Sequence, residues 1–498
     1  MRSNLVGVWI LALGISALAA QNPSSQAPQS ALQPGVVVRQ TCASHPDQSY
    51  ALYLPSHYSA GKRWPIVYAF DPDARGEAPV GLMKDAAERY GYIVVGSNNS
   101  RNGSWKVEGE AAQVMWEDTH ARFSLDDRRI YFAGFSGGAR VASALAQQCK
   151  CAAGVLLDGA GFAGTPPSHD AAFAVYAIVG TYDFNYPELS QLDEKLQQAG
   201  FPHMLRHFEG LHQWAPAAEL QDALAWFRLL AMKQNLEARD QDFIAHQMEQ
   251  FSALAHGLEQ SSQAYEVWRE YRQAVATFDG LADTAVLRQA EASLAQRKAV
   301  RDGPKREAQE FQQQKQLTGE IYAGFAALRG ATTAGNAEAA IPPSAPASPD
   351  GRPGSALHGE TNAGRSDIFH QTEQQVAELR QRADAAKQDD KMRVYRRALS
   401  GVFIGAAEFG DEAMEAKDYA AAKEYFELAC DANPDSAGAL QALAKARALD
   451  SDRKGSLEAL RRARQRVKDP AAFSAWLSQE PAFAKLREDP QFRALMNP

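Results

Sequence analysis

The chain reads as an α/β protein, a mainly parallel eight-stranded sheet covered by helices, followed by an all-α region. Three observations predict this. Eight short apolar runs occupy the first half, and helical patterns lie between most of the later ones. The run Arg129-Ile130-Tyr131-Phe132-Ala133 passes through Gly134-Phe135-Ser136-Gly137-Gly138 into a small-residue helix, Ala139 to Gln148. Past about Phe227 the strand patterns cease, and Ala, Gln, Glu and Arg dominate.

Taken in order, the N-terminus sets the compartment. Arg2 precedes an uncharged apolar run from Leu5 to Leu18, and Ala17-Leu18-Ala19 has the small-x-small form of a signal-peptidase site. Residues 1–20 are expected to be a signal peptide, making the protein exported (periplasmic or secreted), with no membrane span after cleavage. Gln/Ser/Pro-rich residues 21–34 read as a flexible leader. The sheet domain is expected over 35–232, with strands at Val36–Arg39, Ser49–Leu54, Pro65–Phe70, Tyr92–Ser97, Ile130–Ala133, Gly154–Leu157, Ala174–Gly180 and Met204–Phe208. Loops at the carboxyl ends of such strands line the ligand crevice, so Asn102 and Trp105 in the polar stretch after the fourth strand are candidate substrate contacts. The longest insert, Asn98 to Asp127, leaves little room for a lid. An open cleft suited to bulky or polymeric substrates is expected.

Residues 233–331 read as packed helices with Tyr265, Trp268, Tyr271 and Val275 in the core. The Ala/Pro/Gly/Ser-rich stretch 332–367 reads as a disordered linker. In 368–498, Gly410, Tyr419, Ala422, Phe426, Ala429 and Pro434 match the small, aromatic and proline positions of a tetratricopeptide unit. A weaker unit follows from Ala437 to about Lys468, and Pro481 to Leu495 resembles the short closing helix after such repeats. Arrays of this kind bind peptides or proteins in a concave groove, so a protein partner is one reading there and a plain structural solenoid the other.

The chemistry is concentrated around Ser136. Glycines two residues to either side permit a turn so tight that Cβ atoms there would strike neighbouring backbone. The serine oxygen then stands clear of the sheet at a helix start, where N–H groups favour developing negative charge. Downstream, the run ending at Gly180 leads into Thr181-Tyr182-Asp183, and the last strand leads into Gly210-Leu211-His212-Gln213-Trp214. The order nucleophile Ser136, acid Asp183, base His212 suits a relay in which the imidazole takes the serine proton and the carboxylate orients it. Asp158, after the preceding strand, is the alternative acid. His203 and His207 lie in or beside the last strand and read as packed residues. His45, His57, His120 and His169 carry no assignment.

Over residues 35–232 the chain resembles the α/β-hydrolase family, in particular its secreted feruloyl-esterase, acetyl-xylan-esterase and polyhydroxybutyrate-depolymerase-like branch. Tyr50–Pro55, Trp64–Phe70, Asp127–Tyr131 and Gly210–Trp214 carry the resemblance. It implies a serine hydrolase that cleaves carboxylic esters through an acyl-enzyme on Ser136, without a cofactor, and adds Trp214 to the substrate-binding candidates. A peptidase of the same fold, or a weak hydrolase scaffold acting as a binding protein, are the alternatives. One departure stands out. The family carries His-Gly before the oxyanion loop, where this chain has Asp71-Pro72-Asp73, and Pro72 has no N–H to donate. The expected oxyanion donors are therefore the amides of Gly137 and Asp73; losing one such donor costs on the order of 3 kcal/mol in barrier.

A formal net charge of −8 argues against nucleic acid as a partner. No metal site is expected, since no histidine or second cysteine pair stands at ligand spacing. Of the four cysteines, a link from Cys42 to Cys149 or Cys151 would staple the N-terminal arm to the domain, and bonding those two directly would strain a very short ring; the pairing stays open. Cys430 reads as a buried thiol.

Overall fold

The computed structural model describes residues 33–167, 171–259, 264–332, 362–387 and 389–496. The expected signal peptide, nearly all of the leader, most of the linker and His169 lie outside the described residues.

The sheet contains β1 (Val37–Thr41), β2 (Ser49–Tyr53), β3 (Trp64–Phe70), β4 (Ile93–Ser97), β5 (Leu125–Phe135), β6 (Ala152–Asp158), β7 (Ala174–Gly180) and β8 (His203–Phe208). Their order is β1-β2-β4-β3-β5-β6-β7-β8. β2 runs antiparallel to both its neighbours, and the six strands from β4 to β8 are mutually parallel. This is the sheet of an α/β-hydrolase fold, as the sequence predicts. Helices α1 (Glu77–Tyr90), α2 (Trp105–Arg122), α3 (Gly137–Gln148), α4 (Tyr186–Gln198) and α5 (Ala217–Lys233) flank it. Among the described residues, no helix joins β6 to β7.

Every residue of β3 is buried, as a strand covered on both faces must be. Its alternation builds two cores. Trp64, Ile66, Tyr68 and Phe70 pack with α2, α3 and α4, while Val67 and Ala69 pack with α1 and α5.

The rest of the described chain is helical: α6 (Gln241–Glu259), α7 (Ala264–Phe278), α8 (Ala285–Ala295), α9 (Lys298–Arg301), α10 (Gly303–Thr332), α11 (Asn362–Ala385), α12 (Asp389–Glu415), α13 (Tyr419–Ala432), α14 (Ala437–Leu449), α15 (Arg453–Arg464), α16 (Pro470–Gln479) and α17 (Pro490–Met496). Leu229 and Met232 of α5 join Ile244, Tyr271, Val275 and Phe278 in a third core. Tyr265 is buried, and Trp268 stacks on it at 5.7 Å. Helices α10 to α17 share a fourth core. There α12 and α13 pack closely because Gly410 has no side chain; a Cβ would lie 2.5 Å from the Phe426 ring. α11 begins at Asn362, inside the stretch expected to be linker. The expected closing helix over 481–495 is instead two pieces, a 3-10 turn at Pro481–Leu486 and then α17. The break comes where Asp489 accepts from the Gln491 amide and Pro490 opens the new helix.

The structure decides the cysteine pairing. Cys149 and Cys151 are joined to each other, and Cys42 is buried and free. Cys42 follows β1 and Cys151 precedes β6, with four strands between them. At ~4.8 Å per strand the sheet keeps them far beyond the ~7 Å a disulfide can span.

The helical region is welded onto the sheet domain. Arg206 of β8 pairs with Glu270 of α7 at 2.6 Å. Ser190 of α4 donates to Glu307 of α10 at 2.9 Å, and Arg269 of α7 closes the same cluster. Such buried pairs require good geometry to offset their desolvation. No helix among the described residues is long and apolar enough to cross a membrane.

Candidate active site

β5 ends at Phe135 and α3 starts at Gly137, leaving Ser136 at φ 53° and ψ −121°. A non-glycine residue holds such a conformation only when its surroundings impose it. Here they do. A Cβ on Gly134 would sit 2.0 Å from the Gly138 carbonyl oxygen, and one on Gly138 would sit 2.0 Å from that of Phe70. The Ser136 N–H donates to the Asp158 carbonyl at 2.8 Å, fixing the turn to the neighbouring strand. Gly137 opens α3, so its N–H has no acceptor within the helix.

Three distant side chains meet at this turn. Ser136 Oγ lies 2.8 Å from His212 Nε2, and His212 Nδ1 lies 2.9 Å from Asp183 Oδ2. Asp183 is 1% exposed, and its second oxygen accepts from the Asn185 amide at 2.8 Å. The rings of Phe135 and Phe184 flank the imidazole, each 4.7 Å away between centroids. Gly180 and Gly210 set the approach of the two loops; a Cβ on Gly180 would meet the Gly210 carbonyl at 2.5 Å.

Asp158 is elsewhere. Its carboxyl accepts from the Ala215 amide at 2.7 Å and so ties down the loop after His212. Burial, and then the nearby Asp183 carboxylate, push its pKa well above the usual range. His203 and His207 are packed as expected. His203 faces Asp193, and His207 lies against Tyr186 with its pKa pushed down to about 3, chiefly by burial.

Two expected roles do not match the geometry. The Asp73 N–H donates to Asp71 Oδ1 at 2.9 Å, so it is already engaged and does not face the serine as an oxyanion donor. The carboxylate of Asp73 pairs with Arg75 at 3.0 Å. Trp214 does not line the cavity over Ser136; its indole N–H donates to Asp71 Oδ2 at 2.8 Å and its ring packs near Phe135. Both corrections have one cause. Asp71 is 1% exposed and gathers the Asp73 amide, the Arg75 guanidinium and Trp214 around its carboxylate. The spacing of Asp71 and Arg75 offered the only sequence signal for this hub.

Asn102 and Trp105 do line the cavity, as expected. Asn102 lies closer to the serine turn than its assignment implied. A Cβ on Gly137 would fall 1.7 Å from its side-chain oxygen and 3.2 Å from its nitrogen. Its terminal amide therefore sits directly beside the free N–H of Gly137.

Over Ser136 lies a cavity of about 1690 Å³ that remains open to solvent, with the helical region forming one side of it. Phe162, Phe184 and Pro187 form the sheet-domain side; Gln314, Thr318 and Tyr322 of α10 and Gly401, Ile404 and Asp411 of α12 face them. The loop carrying Asp183 is held from across this boundary. Arg397 donates to the Thr181 carbonyl at 2.8 Å and lies 3.5 Å over the Tyr186 ring. Gln314 donates to the Phe184 carbonyl at 2.9 Å, and a Cβ on Gly401 would lie 3.1 Å from that of Phe184. No pattern near the serine motif could have pointed to these residues, which follow it by 178 or more positions in the case of Gln314 and beyond.

A strained serine at a strand-to-helix turn, an imidazole and a carboxylate on an α/β-hydrolase sheet together define the class of site. Among solved structures, the chain is similar to fluorophosphonate-binding serine hydrolase F of Staphylococcus aureus at 14% identity, covering 39% of this chain and 99% of that one, with a TM-score of 0.32. It is similar to a hyperthermophilic esterase from the archaeon Pyrobaculum calidifontis at 13% identity, covering 40% and 87%, with a TM-score of 0.33. A ferulic acid esterase matches at 16% identity, covering 38% and 94%, with a TM-score of 0.32. No family model matches the chain, and no curated protein matches it.

Proposed function

We propose that the protein is an exported serine hydrolase that cleaves carboxylic esters through an acyl-enzyme on Ser136. His212 Nε2 takes the hydroxyl proton as Ser136 Oγ attacks the ester carbonyl, then delivers it to the departing alcohol. Asp183 holds the imidazole in the tautomer with a proton on Nδ1 and stabilises its charged form. Water then repeats the sequence on the acyl-enzyme, releasing the acid and restoring the serine. The Gly137 N–H is one oxyanion donor. The side-chain amide of Asn102 is the second, taking the place expected of the Asp73 amide, with its nitrogen turned to the oxyanion; the oxygen and nitrogen of such an amide exchange by a simple flip.

The reading is carried by the unbroken chain of 2.8 and 2.9 Å contacts from Ser136 through His212 to Asp183. Its test is labelling with a fluorophosphonate probe, followed by short-chain nitrophenyl esters, feruloyl esters and peptide amides. Wild type should be labelled and should hydrolyse esters, and Ser136→Ala should do neither. Folded wild-type protein that resists the probe would end the hydrolase reading, and faster turnover of amides would replace the ester by a peptide. Export is tested by sequencing the N-terminus of the mature protein, which should begin near Gln21.

A further inference from the structure

The cavity above Ser136 is dominated by one sign of charge. Nine carboxylic side chains line it against four from lysine and arginine. Arg75 is engaged by Asp71 and Asp73, and Arg140 by Glu188. The other two, Arg101 and Lys315, are exposed. Four of the carboxyls, on Glu108, Glu194, Asp411 and Glu415, have no hydrogen bond or ion pair to a described residue. A concave, partly apolar wall of one sign focuses its field on whatever enters.

Glu108 gives this field a specific focus. It lies on the first turn of α2, is only 5% exposed, and lines the cavity with no donor or cation among the described residues at its carboxyl. Burial pushes its pKa up to about 7. Its carboxylate oxygens open into the cavity rather than into the core, where an incoming cation can pair with them. On the α12 side, Asp411 is exposed at the cavity. Lys445, the nearby cation, is itself paired with Glu480. Aromatic faces complete the surroundings, with Trp105, Phe162, Phe184 and Tyr322 in the same wall. Carboxylates combined with aromatic rings suit an ammonium or guanidinium group.

We propose that this site selects esters bearing a positive charge, with Glu108 as the principal contact and the unpaired Asp411 and Glu415 carboxylates extending the attracting field. The proposal rests on the hydrolase reading for its chemistry but not for its binding. The test therefore has two arms, both on the full chain. In the first, kcat/KM is measured for butyrylcholine against its neutral isostere neohexyl butyrate, and for nitrophenyl esters of γ-trimethylammoniobutyrate against the tert-butyl counterpart. At low ionic strength the charged member of at least one pair should be preferred about tenfold. The ratio should fall towards one in Glu108→Gln and persist in Glu108→Asp, which keeps the charge.

In the second arm, butyltrimethylammonium is titrated into Ser136→Ala by calorimetry. Saturable binding is expected, weakened at least tenfold by adding Glu108→Gln. Turnover of both pairs without charge preference, or with the neutral members favoured, overturns the proposal and leaves the hydrolase reading standing. Binding without any turnover, in wild type that fluorophosphonate also fails to label, keeps the cation site and removes the hydrolase. Neither turnover nor binding overturns both.

Discussion

Ser136 shows how one residue can be forced into a strained backbone conformation by its neighbours' lack of side chains. At φ 53° its backbone is strained, and the strain persists because Gly134 and Gly138 allow β5, α3 and β3 to close around it. Replacing His212 by alanine removes the proton acceptor, so fluorophosphonate labelling should be lost while the thermal midpoint stays near wild type. Asn102→Ala should lower kcat about a hundredfold or more with esters, as loss of an oxyanion donor does, and steady-state kinetics would read it. Glu108 makes a prediction about pH. Its carboxyl has a folded pKa of about 7 against an ordinary 4.5, so the folded state holds the proton more tightly. Stability therefore falls as pH rises from 4.5 through about 7, and the whole penalty is present above that. Glu108→Gln should raise the thermal midpoint at about pH 8 and bring no such gain at about pH 4, which differential scanning calorimetry would detect.

At the scale of elements, α12 serves the loop between β7 and α4. Arg397, 2% exposed, bonds the Thr181 carbonyl two residues before Asp183 and lies over Tyr186 three residues after it. Arg397→Ala removes a charged, buried hydrogen bond and should cost on the order of 3 kcal/mol in stability. Because the loop positions Asp183, kcat should fall more than KM changes; paired kinetic and urea-unfolding measurements separate the two effects. The hairpin of α12 and α13 depends on Gly410 in a different way. Gly410→Val would press a branched side chain into the Phe426 ring and should destabilise by about 1–3 kcal/mol, seen as an earlier urea midpoint.

Over the whole molecule, sheet and helices form one structure rather than a catalytic domain with a detachable binding module. Leu229 and Met232, on α5 of the sheet domain, are fully buried in a core completed by α6, α7 and α8. The cavity takes about two fifths of its lining residues from α10 and α12. A chain ended after residue 235 would expose that apolar face and lose the clamps on the Asp183 loop. It should be aggregation-prone and unlabelled by fluorophosphonate, as size-exclusion chromatography and probe labelling would show.

Local pattern was enough for the sheet and the serine turn, and it singled out Asp183 and His212, which the fold brings within 2.9 Å of each other. Periodicity, glycine spacing and strand ends are encoded within a few residues of each feature, and the steric rules that read them act over the same range. The contacts of Asp73 and Trp214, the pairing of Cys149 with Cys151 and the helical wall of the cavity were decided only by the tertiary structure. Each depends on which surfaces meet: Asp71 gathering a tryptophan 143 positions away, the sheet holding Cys42 apart from Cys149 and Cys151, α12 reaching back to Thr181 across 216 positions. Contacts of that span are selected by the packing of whole elements, which no short stretch of chain specifies.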